Sequence, residues 1–353
     1  MIPATPKIKP PLSTKLRKAV FAGSLMNIKL TFRRITSSSL LFMFCFAAQG
    51  AQDSPPPAPG YHTPAEVMAA IGAGKIKLIK APKEMPEGVI EQKNIEYGKV
   101  GDRSLQLDLY APDKISKPVP GLIFIHGGGW TGGSRDVYKP YSVSYAKKGY
   151  VAATISYRFS GEATFPAAVE DAKCAVRWLR ANAAQYHVDP NKIAVLGGSA
   201  GGHLSLMVGY APDVPELEGN GGNPKVSSRV QAVVDFYGPY DLTTDFARKA
   251  GVVKKFLGNK TYEEAPELYK RASPMTYLTK NGPPTLILHG TIDDVVPIEQ
   301  SDRLAARLKE LGIPVVYDRL EGWPHTMFAA EIVNQRSQFF MDSFFAKYLP
   351  LPE

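Results

Sequence analysis

Ile193-Ala194-Val195-Leu196-Gly197-Gly198-Ser199-Ala200-Gly201-Gly202 runs from four apolar residues into a glycine-flanked serine, and a helix-like segment follows at 203–210. That order spells strand, sharp turn, helix, with Ser199 at the apex. So tight a turn forces the apex residue into a strained backbone region, and its neighbours must be small. Gly197, Ala200 and Gly201 meet that need. The serine hydroxyl is then expected at a sheet edge, placed to attack an electrophile. In isolation the pattern fits a structural glycine-rich turn equally well.

Apolar runs and helical patterns alternate on both sides of this turn. Segments 94–100 and 104–110 predict two strands joined by a Gly101-Asp102 hairpin turn. Residues 121–125 are continuously apolar, as in a strand buried on both faces. Further strands are expected at 150–157, 230–236, 285–288 and 314–320, and helices from 165, at 301–311 and at 331–348. The alternation predicts an α/β protein: a central, mostly parallel sheet, an antiparallel N-terminal hairpin and helices on both faces. Residues 212–229 are expected to form a surface loop. Residues 240–284 interrupt two strands with helix-like pieces. An insertion there would sit over the C-terminal edge of the sheet, as a small cap over a pocket or as a decorative excursion.

Three segments supply what a serine nucleophile needs. His126-Gly127-Gly128-Gly129-Trp130 follows the 121–125 strand, and successive glycines let backbone N–H groups converge on a developing oxyanion. A phosphate loop would want a lysine after the glycines; Thr131-Gly132-Gly133-Ser134 has none. His126 is expected to brace this loop. The base must be a histidine on the serine's side of the sheet. The chain has six histidines, at 62, 126, 187, 203, 289 and 325. Only His325, in Gly322-Trp323-Pro324-His325-Thr326, lies in a loop between the last strand and the last helix. His203 falls in the helix behind the serine, and His289 ends a strand. The orienting acid should come between serine and histidine in sequence. Asp293 and Asp294 both lie in His289-Gly290-Thr291-Ile292-Asp293-Asp294-Val295-Val296-Pro297, and Asp293 fits the Asp-x-x-Val-Pro spacing.

The formal charge of +9 does not describe the folded part. Residues 1–50 carry eight basic residues and no acidic ones, which leaves +1 for 51–353 and excludes a nucleic-acid-binding face. The basic head, with Lys29, Arg33 and Arg34 before the apolar run 40–48 and small residues at Ala48 and Gly50, predicts a signal peptide over 1–50 and export to a periplasm or the exterior. Met26 is an alternative start, and an uncleaved anchor helix is the competing interpretation. A proline-rich linker is expected at 51–60 and an N-terminal arm at 61–93, with a helix starting at Thr63-Pro64. The catalytic domain is expected over 94–350, without membrane association once the leader is cut. Cys174 is the one cysteine beyond the leader, so no internal disulfide or cysteine metal cluster is expected, and it suits a buried small apolar position.

The segments 126–130, 197–202, 235–239, 289–297 and 322–326, spread over 94–347, resemble secreted α/β-hydrolases of the hormone-sensitive-lipase-like and bacterial feruloyl-esterase-like (BD-FAE) groups. Gly198 stands where lipase relatives usually have aspartate, and the acid loop is closer to dienelactone-hydrolase and prolyl-oligopeptidase relatives. The resemblance implies a carboxylic-ester hydrolase without metal or cofactor. Ser199 would attack, His325 would act as base, Asp293 would orient it, and N–H groups of Gly128, Gly129 and Ala200 would receive the oxyanion. Trp130, Tyr237 and Trp323 would line the cleft or pack as core. Asp171 would brace the oxyanion loop or be a surface charge. Acetyl or feruloyl esters of plant polysaccharides are the substrates implied. An amidase or exopeptidase on the same fold, or a non-catalytic binding module, are the alternatives.

Overall fold

The computed structural model describes residues 55–212 and 214–353, so the leader expected at 1–50 lies outside the described residues. Eight strands form one sheet in the order β1-β2-β4-β3-β5-β6-β7-β8. They are β1 Val89–Val100, β2 Arg103–Pro112, β3 Val119–Ile125, β4 Val151–Ile155, β5 Val188–Gly198, β6 Ala232–Phe236, β7 Thr285–Gly290 and β8 Val315–Leu320. β1 pairs antiparallel with β2, and β2 with β4; β3 to β8 pair parallel. β1 starts at Val89, before the expected residue 94. A register shift between Gln92 and Ile95, with Asn94 at φ 57°, breaks the alternation there and conceals the first half of the strand from a pattern reading.

Side chains alternate across the sheet, and the helices divide accordingly. Ile123, Ile125, Val195, Val233 and Ile287 face one layer, formed by α3 Ala167–Ala181, α4 Ala200–Tyr210 and α8 Glu299–Glu310. Leu122, Phe124, Leu196, Val234 and Leu288 face the other, formed by α1 Pro64–Gly72, α2 Lys139–Lys147 and α9 Glu331–Tyr348. Burial on both faces is why β3 and β6 are continuously apolar or nearly so. Thr63 caps α1 with its side chain, as its sequence indicates. Cys174 is buried in α3, where burial pushes its thiol up to about 11.

The stretch 212–229 is more than a surface loop. Glu218 reaches the buried Lys173 (2.7 Å) and Arg177 (2.8 Å) of α3, and Gly221 accepts a backbone hydrogen bond from Lys99. The insertion 240–284 holds α5 Asp245–Lys249, α6 Gly251–Phe256 and α7 Pro266–Arg271.

Among the described buried charged residues, one carboxylate lacks a charged partner. Asp235, in β6, is fully buried; one carboxylate oxygen accepts the Gly238 amide at 2.9 Å and the other has no partner among the described residues. Burial pushes its carboxyl up to about 8, with the Gly238 amide a smaller opposing effect. The folded state therefore holds a proton that the unfolded chain releases near pH 4, about the ordinary aspartate value. The stability this contributes is complete below that pH and is lost as pH rises through about 8. Asp235→Asn mimics the protonated form. Its stability should match the parent near pH 4 and exceed it progressively up to pH 8, by a few kcal/mol on the order of the linkage term. Urea midpoints measured across that range check this; a gap that does not change with pH contradicts it.

Candidate active site

The C-terminal ends of the parallel strands bring five segments to one edge of the sheet: 126–134 after β3, Ser199 after β5, Tyr237 after β6, Asp293 after β7 and His325 after β8. Ser199 sits between β5 and α4 with φ 56° and ψ −123°, a region that costs an L-residue on the order of 1–3 kcal/mol. The surroundings hold it there. Its amide donates to the Phe236 carbonyl at 2.9 Å, and its carbonyl accepts the His203 amide at 3.0 Å. The turn also packs tightly against β3. A Cβ at Gly201 would lie 2.0 Å from the Ile125 carbonyl oxygen, and one at Gly197 would lie 2.3 Å from that of Gly201.

His325 Nε2 lies 3.0 Å from Ser199 Oγ, and its Nδ1 lies 2.6 Å from Asp293 Oδ2. The Asp293 side chain is wholly shielded from solvent, whereas Asp294 is exposed. This geometry decides between the two acids of the loop. Burial raises the Asp293 carboxyl, but hydrogen bonds from His289 and His325 outweigh it and hold the group at about 2. It is ionised at any ordinary pH. Asp293 Oδ1 accepts the amides of Val295 (2.9 Å) and Val296 (2.8 Å), which shapes the loop around the carboxylate.

The glycine loop turns back toward Ser199. Gly128 and Gly129 have positive φ of 112° and 59°, and Gly127, Gly128, Gly129 and Ala200 line the same cavity as Ser199 and His325. Ala200 opens α4, where the first N–H groups have no partner within the helix. His126 is buried and stacks on Tyr157 at 4.6 Å, a bracing position. Trp130 is buried too. Its ring stacks on Phe256 of α6 at 4.5 Å, and its Nε1 donates to His203 Nδ1 at 3.3 Å. His203 Nε2 in turn donates to the Ala272 carbonyl at 2.7 Å. Burial lowers the His203 ring to about 4, so it stays neutral and ties the glycine loop to the insertion.

The cavity measures about 470 Å³. Trp130 and Tyr237 form part of its wall, and the Tyr237 ring lies 4.6 Å from that of His325. Trp323 does not. Its carbonyl accepts the Ile292 amide at 3.2 Å, and its ring turns edge-on to Tyr61 at 5.7 Å, lining a separate cleft beside the N-terminal arm. Neighbouring the base in sequence placed Trp323 near the site, but the backbone bond directs its ring elsewhere. Within the insertion, Phe246, Ala250, Val252 and Val253 supply one wall of the cavity.

Asp171 is 1% exposed and forms a bidentate pair with Arg158, whose amide it also accepts at 2.8 Å. It is not a surface charge. Ser160, two residues on, donates to the Trp130 carbonyl through its amide (2.8 Å) and hydroxyl (3.0 Å). Asp171 thus supports the glycine loop one step removed. Sequence order shows His289 only as a strand-end residue; in the structure its Nε2 lies 3.1 Å from Asp293 Oδ2. The available signal is its position four residues before the acid, at the end of the strand that leads into the acid loop.

An elbow serine after β5, an acid after β7 and a histidine after β8, on an eight-stranded, mostly parallel sheet, define an α/β-hydrolase. The chain belongs to the BD-FAE family, matched over residues 107–308. It is 35% identical to esterase LipC of Mycobacterium tuberculosis over 67% of this chain and 60% of LipC, so it spans under two thirds of that relative's length. Among solved structures, a truncated carbohydrate esterase from gut microbiota superposes with a TM-score of 0.66 at 28% identity, covering 75% of this chain and all of that one. Propionate-bound esterase 2 of Thermogutta terrifontis gives 0.65 at 31% identity, covering 78% of this chain and all of the neighbour.

Removing one partner of a buried ion pair leaves the other charge uncompensated and costs about 3–5 kcal/mol. Arg158 keeps a second partner, Glu170 at 3.0 Å, so Asp171→Ala should lose less than that, about 1–3 kcal/mol, in a urea titration. A loss below about 1 kcal/mol, as for an exposed pair, would contradict the bracing role.

Proposed function

We propose that this chain is an exported serine carboxylic-ester hydrolase working through an acyl-enzyme. The observation that carries it is the unbroken hydrogen-bonded line Asp293–His325–Ser199 at the floor of an open cavity. His325 takes the Ser199 proton as Oγ attacks the ester carbonyl, and Asp293 fixes the ring and offsets its positive charge. The carbonyl oxygen gains charge beside the N–H groups of Gly128, Gly129 and Ala200. The tetrahedral adduct expels the alcohol, which leaves with the proton from His325. Water then repeats the sequence on the acyl-enzyme, releasing the acid and restoring Ser199.

Cavity size and wall chemistry support small acyl groups, from acetyl to a single aryl group such as feruloyl. Its walls are largely apolar, with Phe246, Val253 and Phe328 inside. Val137, Val252 and Val295 stand at the mouth with exposures of 42%, 45% and 53%. The resemblance to a gut carbohydrate esterase supports esters carried on polysaccharide, and the basic and apolar pattern of residues 1–50 supports export.

A buried methylene is worth about 0.8 kcal/mol, roughly fourfold in kcat/KM if realised in the transition state. The protein should turn over p-nitrophenyl butyrate about tenfold or more faster than the acetate in kcat/KM, and it should also cleave methyl ferulate. Ser199→Ala should lower turnover on the order of 10⁶-fold. Equal activity of parent and Ser199→Ala contradicts the mechanism, and turnover of an aminoacyl anilide alone would replace the esterase by a peptidase. Acetylated xylan tests the polysaccharide assignment, and a signal found only in the cytoplasm on fractionation of the host would contradict export.

A further inference from the structure

His289 occupies the penultimate position of β7 and is fully buried. Its ring is held at both nitrogens. Nδ1 lies 2.7 Å from the hydroxyl of Ser301, itself fully buried in α8. Nε2 faces two oxygens, Asp293 Oδ2 at 3.1 Å and the Val296 carbonyl at 2.9 Å. Both are acceptors, so Nε2 must carry a hydrogen, and in the neutral ring Nδ1 accepts the Ser301 hydroxyl.

An ionised carboxylate offers about four acceptor directions. On Asp293 these are taken by the amides of Val295 and Val296 on Oδ1, and by His325 and His289 on Oδ2. The oxygen that orients His325 is thus shared with a second imidazole, which Ser301 anchors to α8. We infer that His289 is a positioning residue: it fixes Asp293 Oδ2 on the line to His325 and keeps the carboxylate from rotating. The inference rests on the ester-hydrolase function proposed above. Because His289 also holds the Val296 carbonyl, and Val295 and Val296 line the cavity, a purely wall-shaping role is the competing outcome. The two roles separate kinetically. Loosening the acid acts in the transition state and lowers kcat, whereas loosening the wall weakens binding and raises KM.

The experiment compares His289→Leu and His289→Gln, each in the parent and in Asp293→Asn, by steady-state kinetics on p-nitrophenyl butyrate, with thermal unfolding to establish that each variant is folded. His289→Leu should lower kcat about 10–100-fold, the scale of a misplaced catalytic group, with KM little changed. His289→Gln returns an N–H donor toward the same oxygens and should recover most of that loss. In Asp293→Asn, the change to leucine should cost no further kcat, since the group it positions is gone. A folded His289→Leu with parental kcat, a rise in KM alone, or an equal fall in both backgrounds overturns the inference. Where leucine prevents folding, Ser301→Ala carries the same test, because it releases the ring without removing it. A fall in kcat confined to the protein retaining Asp293 supports the inference, and no fall overturns it. A parent protein with no Ser199-dependent ester turnover would instead defeat the function on which the inference rests.

Discussion

The strained backbone at Ser199 is the constraint on which the rest of the structure depends. A residue at φ 56° and ψ −123° persists only where its surroundings leave no alternative. Here they are the Phe236 carbonyl on one side and the backbone of β3 on the other, with Gly197 and Gly201 small enough to permit the approach. The same contact that strains the turn lifts Oγ out of β5 and points it at His325. The sheet then supplies the partners, because parallel strands end on one edge and each following loop opens toward the same point.

Charge is managed by burial and hydrogen bonding. Asp293 is shielded from solvent yet held at about 2, because every oxygen finds donors. Asp235, equally buried, has a single amide and is pushed up to about 8. Two aspartates near the same sheet edge thus take opposite protonation states at neutral pH. Donor supply decides which is ionised, and only the ionised one can orient a histidine.

Much of this was legible in the sequence. The 193–202 stretch announces the elbow, because few residue orders permit so tight a turn. Chain order and strand ends then narrow the base to His325 and the acid to two neighbours. The Asp-x-x-Val-Pro spacing favours Asp293, and the structure agrees: its side chain is shielded and bonded to His325, whereas Asp294 is exposed. What stayed hidden follows from contacts between distant segments. The bulge at Asn94 masked half of β1, and a bond from Ile292 turned Trp323 away from the cleft. The pairing of Asp171 with Arg158, and of His289 with Asp293 and Ser301, depends on which loops and helices meet; local pattern does not encode it.

The central claim is that Ser199 is the nucleophile of an acyl-transfer site. Its most direct test is to treat the protein with a p-nitrophenyl alkylphosphonate and locate the adduct by peptide mass spectrometry. A single phosphonyl group on Ser199, with matching loss of esterase activity and no labelling of Ser199→Ala, is the expected result. Complete loss of activity with the adduct on another residue, or full activity with Ser199 quantitatively modified, would contradict the account.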